Sequence, residues 1–283
     1  MTIKRSEDQT CRAVPPQFRG PSLAASAGLD RGIKVGLCGF TMAMTRYASH
    51  FPVVEVQQTF YQPPADSLMA RWSAAMPENF EFTLKAWQLI THESRSPTYR
   101  RLKRPLTASE RSECGAFRDS AIVREALART LACAGILRAK KILFQSPASF
   151  RPDPENIARL RYFFARVANA KRPAHIRYFW EPRGPAWTKR APLAAELCEE
   201  LGLGYVVDPF VDPVGDTANS GERVAYLRLH GISGARHVYS DGELQRLAGM
   251  VPANAYVLFN NIPRVNDAQR FLALLDTPIV GGS

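Results

Sequence analysis

Eight short runs rich in β-branched and aromatic residues recur along the chain, with helical patterns between most of them. The runs are 33–38 (IKVGLC), 53–60 (VVEVQQTF), 80–86 (FEFTLKA), 140–145 (KKILFQ), 175–181 (HIRYFWE), 203–208 (LGYVVD), 224–230 (VAYLRLH) and 255–260 (AYVLFN). Stripes at i, i+4, i+8 lie between them: Leu68, Trp72 and Met76; Val123, Leu127 and Leu131; Leu193, Leu197 and Leu201. Strands that alternate with helices pair in parallel, because a parallel neighbour needs a crossover of helical length. Eight such units in 283 residues fit one closed (β/α)8 barrel. A doubly wound open sheet is the rival, but it calls for a glycine-rich phosphate loop after the first strand. Gly36 and Gly39 are too few for that loop. The expected fold is therefore α/β, a single and somewhat irregular TIM-like barrel. Its helix after strand one is short, none is evident after strand six, and 209–223 reads as loop.

Punctuation supports this division. Ser240 and Glu243 have capping-box spacing, Asp153-Pro154 starts a helix, Gly202 ends one, and a last helix is expected over 265–276. Residues 1–31 are polar, contain Pro15, Pro16 and Pro21, and read as an N-terminal tail before a barrel domain over 32–283. That tail lacks the apolar core of a secretory leader, and no run of about 18 apolar residues suggests a membrane span. The five cysteines are odd in number and form no CxxC pair, which points to a reducing compartment. A cytoplasmic protein is expected, with Cys133 and Cys198 in the core. The formal charge of +11 favours anionic partners, either a phosphate-bearing small molecule or nucleic acid.

Polar residues inside the strand runs are the functional signal. In a barrel, alternate strand residues point inward. One face of 53–60 carries Glu55, Gln57 and Thr59; strand three carries Glu81, Thr83 and Lys85 together; strand seven carries Tyr226, Arg228 and His230. Other runs end on Gln145, Glu181, Asp208 and Asn260. The C-terminal end of a β/α barrel is where its active-site loops meet. A polar pocket there is expected to be lined by Glu55, Gln57, Lys85, Gln145, Glu181, Asp208, Arg228, His230 and Asn260.

The motifs VEVQQTFY, FEFTLKA with His92 beyond it, LFQSPASF, EPRGPAW, YLRLHG and LFNN occur in that order. Over residues 33–277 the chain resembles the YecE-like family, domain of unknown function 72. The resemblance implies a single TIM-like barrel and no defined activity. Three departures stand out. Thr41-Met42 replaces a Trp-x-Tyr pattern after Gly39, Gln57 stands where the family usually has Asn, and Pro182-Arg183 replaces Arg-His after Glu181.

Four chemistries suit these residues. Glu181 or Glu55 can serve as base with His230 as acid, while Lys85, Arg228 and Arg183 hold a phosphate or oxyanion and Gln57, Gln145, Asp208, Asn260 and His92 contact substrate. This reading favours a hydrolase or isomerase. A divalent metal on Glu55, Glu181, Asp208 and His230 is a second reading, opposed by the cations on the same face. Nucleophilic catalysis by Cys38 has little support, because barrel packing explains it as well. Finally, Arg100, Arg101, Lys103 and Arg104 make the segment after strand three basic, with Tyr99 available to stack on a base. A non-catalytic nucleic-acid- or protein-binding barrel is therefore the alternative. Trp87, Phe150, Trp180 and Trp187 could add stacking surfaces, although Trp180 is expected to pack outward. The sequence leaves substrate, cofactor and oligomeric state open.

Overall fold

The computed structural model describes residues 31–211 and 225–276. The expected tail, apart from Arg31, and most of the expected 209–223 loop lie outside the described residues. The strands are β1 (Lys34–Cys38), β2 (Val53–Val56), β3 (Glu81–Lys85), β4 (Lys141–Gln145), β5 (Arg177–Glu181), β6 (Gly204–Val207), β7 (Tyr226–Leu229) and β8 (Tyr256–Phe259). They form a closed parallel barrel in chain order, with β8 returning to β1. The α-helices outside it are α1 (Met44–Ala48), α2 (Gln58–Tyr61), α3 (Asp66–Ala75), α4 (Gln88–Thr91), α5 (Ala108–Glu113), α6 (Ala121–Leu137), α7 (Pro154–Tyr162), α8 (Pro185–Thr188), α9 (Ala191–Leu201), α10 (Asp241–Met250) and α11 (Arg264–Leu275).

Local chemistry sets many of the boundaries. The Ser240 hydroxyl accepts from Glu243 N while the Glu243 carboxylate accepts from Ser240 N, closing the capping box of α10. Asp153 caps α7 through Asn156 N at 2.8 Å, and Gly202 ends α9 in the left-handed region at φ +67°. No helix among the described residues is long and apolar enough to cross a membrane.

The expected second strand is too long. β2 stops at Val56, and Gln57 is already helical in backbone. Residues Gln58–Tyr61 form the turn of α2. The Thr59 hydroxyl lies 2.7 Å from Lys85 O and 3.0 Å from Val56 O, so it ties this turn to the end of β3. Thr59 is thus a structural donor rather than the third residue of an inward row.

Alternation divides the core in two. Outward strand residues such as Val35, Val54, Leu84, Phe144 and Trp180 join the main layer under the helices, where Cys133 and Cys198 are also buried. Inward residues Cys38, Val53, Leu143, Phe179, Val206, Tyr226, Tyr256 and Leu258 fill the barrel. At its lower end Glu81 receives Lys34, Lys141 (3.3 Å) and the Tyr256 hydroxyl (2.5 Å). Burial alone would raise the Glu81 carboxyl, but those donors hold it below its usual value.

Two inward glycines make room for this filling. A Cβ on Gly36 would fall 2.1 Å from Val53 O, and one on Gly204 would fall 2.2 Å from the Phe179 ring. A side chain can shift more readily than a backbone carbonyl paired in the barrel. Both Gly36→Ala and Gly204→Ala are expected to destabilise, with Gly36→Ala costing more, within the ~1–3 kcal/mol range of overpacked cores. Urea unfolding with matched m-values measures the difference.

Candidate functional site

Above the apolar filling, β2, β5 and β7 bring Glu55, Glu181 and Arg228 together. Arg228 is 1% exposed, Glu55 0% and Glu181 4%. Arg228 Nη2 donates to Glu55 Oε1 at 2.9 Å, and Nη1 donates to Glu181 Oε2. One guanidinium thus bridges carboxylates from two sides of the barrel. Nη1 also approaches Gln145 Oε1 at 3.4 Å, and Nη2 lies 3.5 Å from Cys38 Sγ.

Each carboxylate has further donors. Glu55 accepts from the Tyr226 hydroxyl at 2.7 Å and from Gln57 Nε2. Tyr226 also lies 2.8 Å from Thr83 Oγ1, linking a third strand. Glu181 accepts from Arg183 Nη1 at 2.9 Å and meets His230 Nε2 at 2.9 Å. Burial would raise the Glu181 carboxyl, but Arg228, His230 and Arg183 outweigh it and hold it well below the ordinary carboxylate range. Glu181 is therefore ionised near neutrality and a weak proton acceptor.

His230 is held at both ends. Its Nδ1 lies 3.0 Å from Asn260 Nδ2, and its backbone N–H donates to Asp208 Oδ2 at 2.8 Å. With the Asn260 amide donating to Nδ1, the imidazole proton sits on Nε2 and points at Glu181. Burial, the largest influence, lowers the His230 pKa despite Glu181, while burial raises that of Asp208. Gly231, at φ +92°, lets the chain after His230 turn so tightly that a Cβ would meet Gly234 O at 2.3 Å.

Lys85 closes the site from β3. The residue is 7% exposed, and among the described residues Nζ has no hydrogen bond or ion pair. Nζ instead sits 3.7 Å from the centroid of the Phe60 ring. Burial first, then Arg228, lowers its pKa to about 7 against the partial pull of Glu181 and Glu55. Near neutrality a large share of this amine is uncharged.

The structure joins Glu55, Gln57, Gln145, Glu181, Arg183, Asp208, Arg228, His230 and Asn260 by hydrogen bonds, with Lys85 beside them. His92 does not join that network. Its ring packs edge-on against Phe60 at 4.9 Å, and Nδ1 is 2.7 Å from Thr91 Oγ1. Burial and the nearby Lys85 push its pKa down to about 3. Tyr226, missing from the expected pocket residues, is an integral donor. The period of two that placed it beside Arg228 and His230 was the available signal. Cys38 touches Arg228, but burial pushes its thiol up, so it is not a ready thiolate.

Three further expectations change. Trp87, Phe150 and Trp187 are buried and offer no stacking surface, while Trp180 packs outward under the helices as expected. Tyr99 is half-buried, and its hydroxyl donates to His92 O at 2.7 Å, so it too is committed internally. The basic residues are all at or near the surface: Arg101 is exposed while stacking on Tyr61 at 3.6 Å, Arg104 pairs with Glu110 at 2.7 Å, and Arg100 and Lys103 are exposed. Among the described residues no three His, Cys, Asp or Glu side chains are grouped to hold a metal ion. The carboxylate oxygens of Glu55 and Glu181 already accept from protein donors.

Fold and site define a TIM barrel with a buried ionic network at the C-terminal ends of its strands. The chain belongs to the family described as a protein of unknown function, DUF72, whose model matches residues 40–279. Among solved structures, a DUF72 family protein of Enterococcus faecalis aligns with a TM-score of 0.64 at 19% identity, covering 89% of this chain and 98% of that one. A DUF72 family protein of Thermotoga maritima gives 0.57 at 19% identity, covering 87% and 99%. Endonuclease IV of Thermus thermophilus shares the fold at 0.51 and 13% identity, covering 86% and 98%. No curated protein matches the chain.

Two outcomes follow from the geometry. Arg228→Met strands two buried carboxylates, so it should cost about 3–5 kcal/mol in denaturant unfolding. Lys85 binds protons less readily folded than unfolded, since its pKa falls from 10.5 to about 7. Its burial penalty is therefore present below pH 7 and fades as pH rises toward 10.5. Relative to Lys85→Met, the native chain should gain stability between those limits. Unfolding both proteins at pH 7 and pH 10 checks the sign.

Proposed function

We propose that the C-terminal end of the barrel is an enzyme active site that binds an anionic, phosphate-bearing substrate and works by proton transfer. The carrying observation is Lys85, a buried strand-end amine with no anionic partner among the described residues. Arg228 engages both Glu55 and Glu181 through direct ion pairs, and neither carboxylate contacts Lys85. Arg183 has a side chain 36% exposed and gives one nitrogen to Glu181. The Lys85 amine and the exposed part of Arg183 are thus the cationic donors of the mouth left open to a ligand. An anion supplies the complement, and the low-dielectric setting strengthens its attraction.

Roles divide by environment. Glu181 is too strongly stabilised as an anion to be the working base, so it fixes His230 and Arg183 instead. Lys85 exchanges a proton near neutrality, as a general base or acid must. His230 is a neutral donor aligned by Asn260, and Gln57 and Glu55 keep Arg228 in place. The fold shared with endonuclease IV and with D-psicose 3-epimerase is compatible with a hydrolase or isomerase but selects neither.

Inorganic phosphate and a panel of sugar phosphates test the reading by thermal shift and calorimetry. Arg183→Ala should weaken phosphate binding about tenfold or more, in line with the loss of one charge-assisted hydrogen bond. Replacing Arg100, Arg101, Lys103 and Arg104 together by Ala should leave it unchanged. The opposite pattern, with salt-dependent nucleic-acid binding lost in the fourfold variant, would establish the basic-loop alternative instead.

A further inference from the structure

We infer that Lys85 captures the carbonyl group of an aldehyde or ketone substrate as an imine. This rests on the reading of the mouth as an anion-binding active site, and it narrows the substrate to a carbonyl compound that carries an anionic group.

The argument begins with what surrounds the amine. Arg228 from β7, Glu181 from β5, Glu55 from β2 and Cys38 from β1 act on it electrostatically, and it acts in turn on His92 beyond α4. Both carboxylates are engaged by Arg228, so neither forms an ion pair with Lys85. On its remaining flank the amine meets the Phe60 face, which is braced edge-on by Tyr61 and His92, each 4.9 Å away. Removal from water and the fixed Arg228 guanidinium disfavour the ammonium, against the attraction of the Phe60 face for a cation. The pKa near 7 agrees with that geometry.

An amine kept solely to hold an anion gains nothing from losing its charge. An amine that takes a proton from substrate or returns it, the role given to Lys85 above, is neutral for part of its cycle. A nucleophile uses that same neutral form. It needs a neutral lone pair and a pocket that positions an electrophile. The Nζ lone pair adds to the carbonyl carbon, and the former carbonyl oxygen takes up the proton that nitrogen releases. The carbinolamine then loses water, leaving C=N where C=O had been. No oxidant or reductant enters.

Reductive trapping tests this on the full chain. The protein is incubated at pH 7.5 with glycolaldehyde or glycolaldehyde phosphate in the presence of cyanoborohydride, and lysine peptides are followed by mass spectrometry over time. Lys85 should be labelled roughly tenfold faster than any other lysine, because its neutral fraction far exceeds that of a surface lysine. The phosphate-bearing probe should react faster still. Lys85→Arg should abolish the adduct, although mapping in the native protein decides the point even if that variant misfolds. Labels scattered over surface lysines, with Lys85 spared while inorganic phosphate still binds, would overturn the imine and leave the anion site standing. Lys85 labelled equally fast by both aldehydes would support the imine and overturn the anion reading.

Discussion

One buried guanidinium organises the upper half of this barrel. Arg228 reaches Glu55 on β2 and Glu181 on β5, so three well-separated strands share one ionic contact. Desolvating two carboxylates and a guanidinium is expensive, and such groups rarely add net stability over a packed apolar core. Their effect is geometric. Apart from Lys85 on the Phe60 ring, the further contacts in the site are made to these three residues or to groups they hold. Tyr226 and Gln57 meet Glu55, while His230 and Arg183 meet Glu181. Asp208 and Asn260 then fix His230 from the next strand ends.

The lower half of the barrel shows what a purely structural ionic cluster looks like here. Glu81 takes two lysines and a tyrosine hydroxyl, and both lysines also lie over the Tyr256 ring. Charge at that end is answered locally. Between the two ends, Val53, Leu143, Phe179 and Val206 form an apolar plug. The plug closes the barrel as a pore and lies between the two polar clusters, with the Tyr226 ring stacked on that of Tyr256 at 6.0 Å.

Much of this was legible because period and count are robust signals. Seven strand runs matched to within two residues at each end, and the inward alternation on β7 placed Tyr226, Arg228 and His230 together. The VVEVQQTFY segment failed for a physical reason. Its β propensity continues through Phe60, but the Thr59 hydroxyl can bond Val56 O and Lys85 O only from a helical turn. Tertiary contact overrode propensity there, and the same turn brought Phe60 over Lys85. His92 and the basic segment were read differently. Residue type suggested contact with ligand, but nothing in one sequence shows that Phe60 would cover His92, or that Tyr61 and Glu110 would occupy Arg101 and Arg104.

Lys85 is the residue whose environment the sequence could not convey. It was legible as an inward strand-end cation, which suggested a permanently charged anion holder. The fold instead sets it against an aromatic ring, beside an arginine that has already engaged the nearby carboxylates. A structural network would relax by giving the lysine one of those oxygens, as Glu81 does for Lys34 and Lys141 at the other end. An unpaired buried amine is instead a stored penalty, relieved by losing the proton or by gaining a partner from outside the protein. Both routes lead to chemistry at the same atom. An amine without an ion pair, more than the number of ionisable groups, is what distinguishes the C-terminal end of this barrel from the N-terminal one.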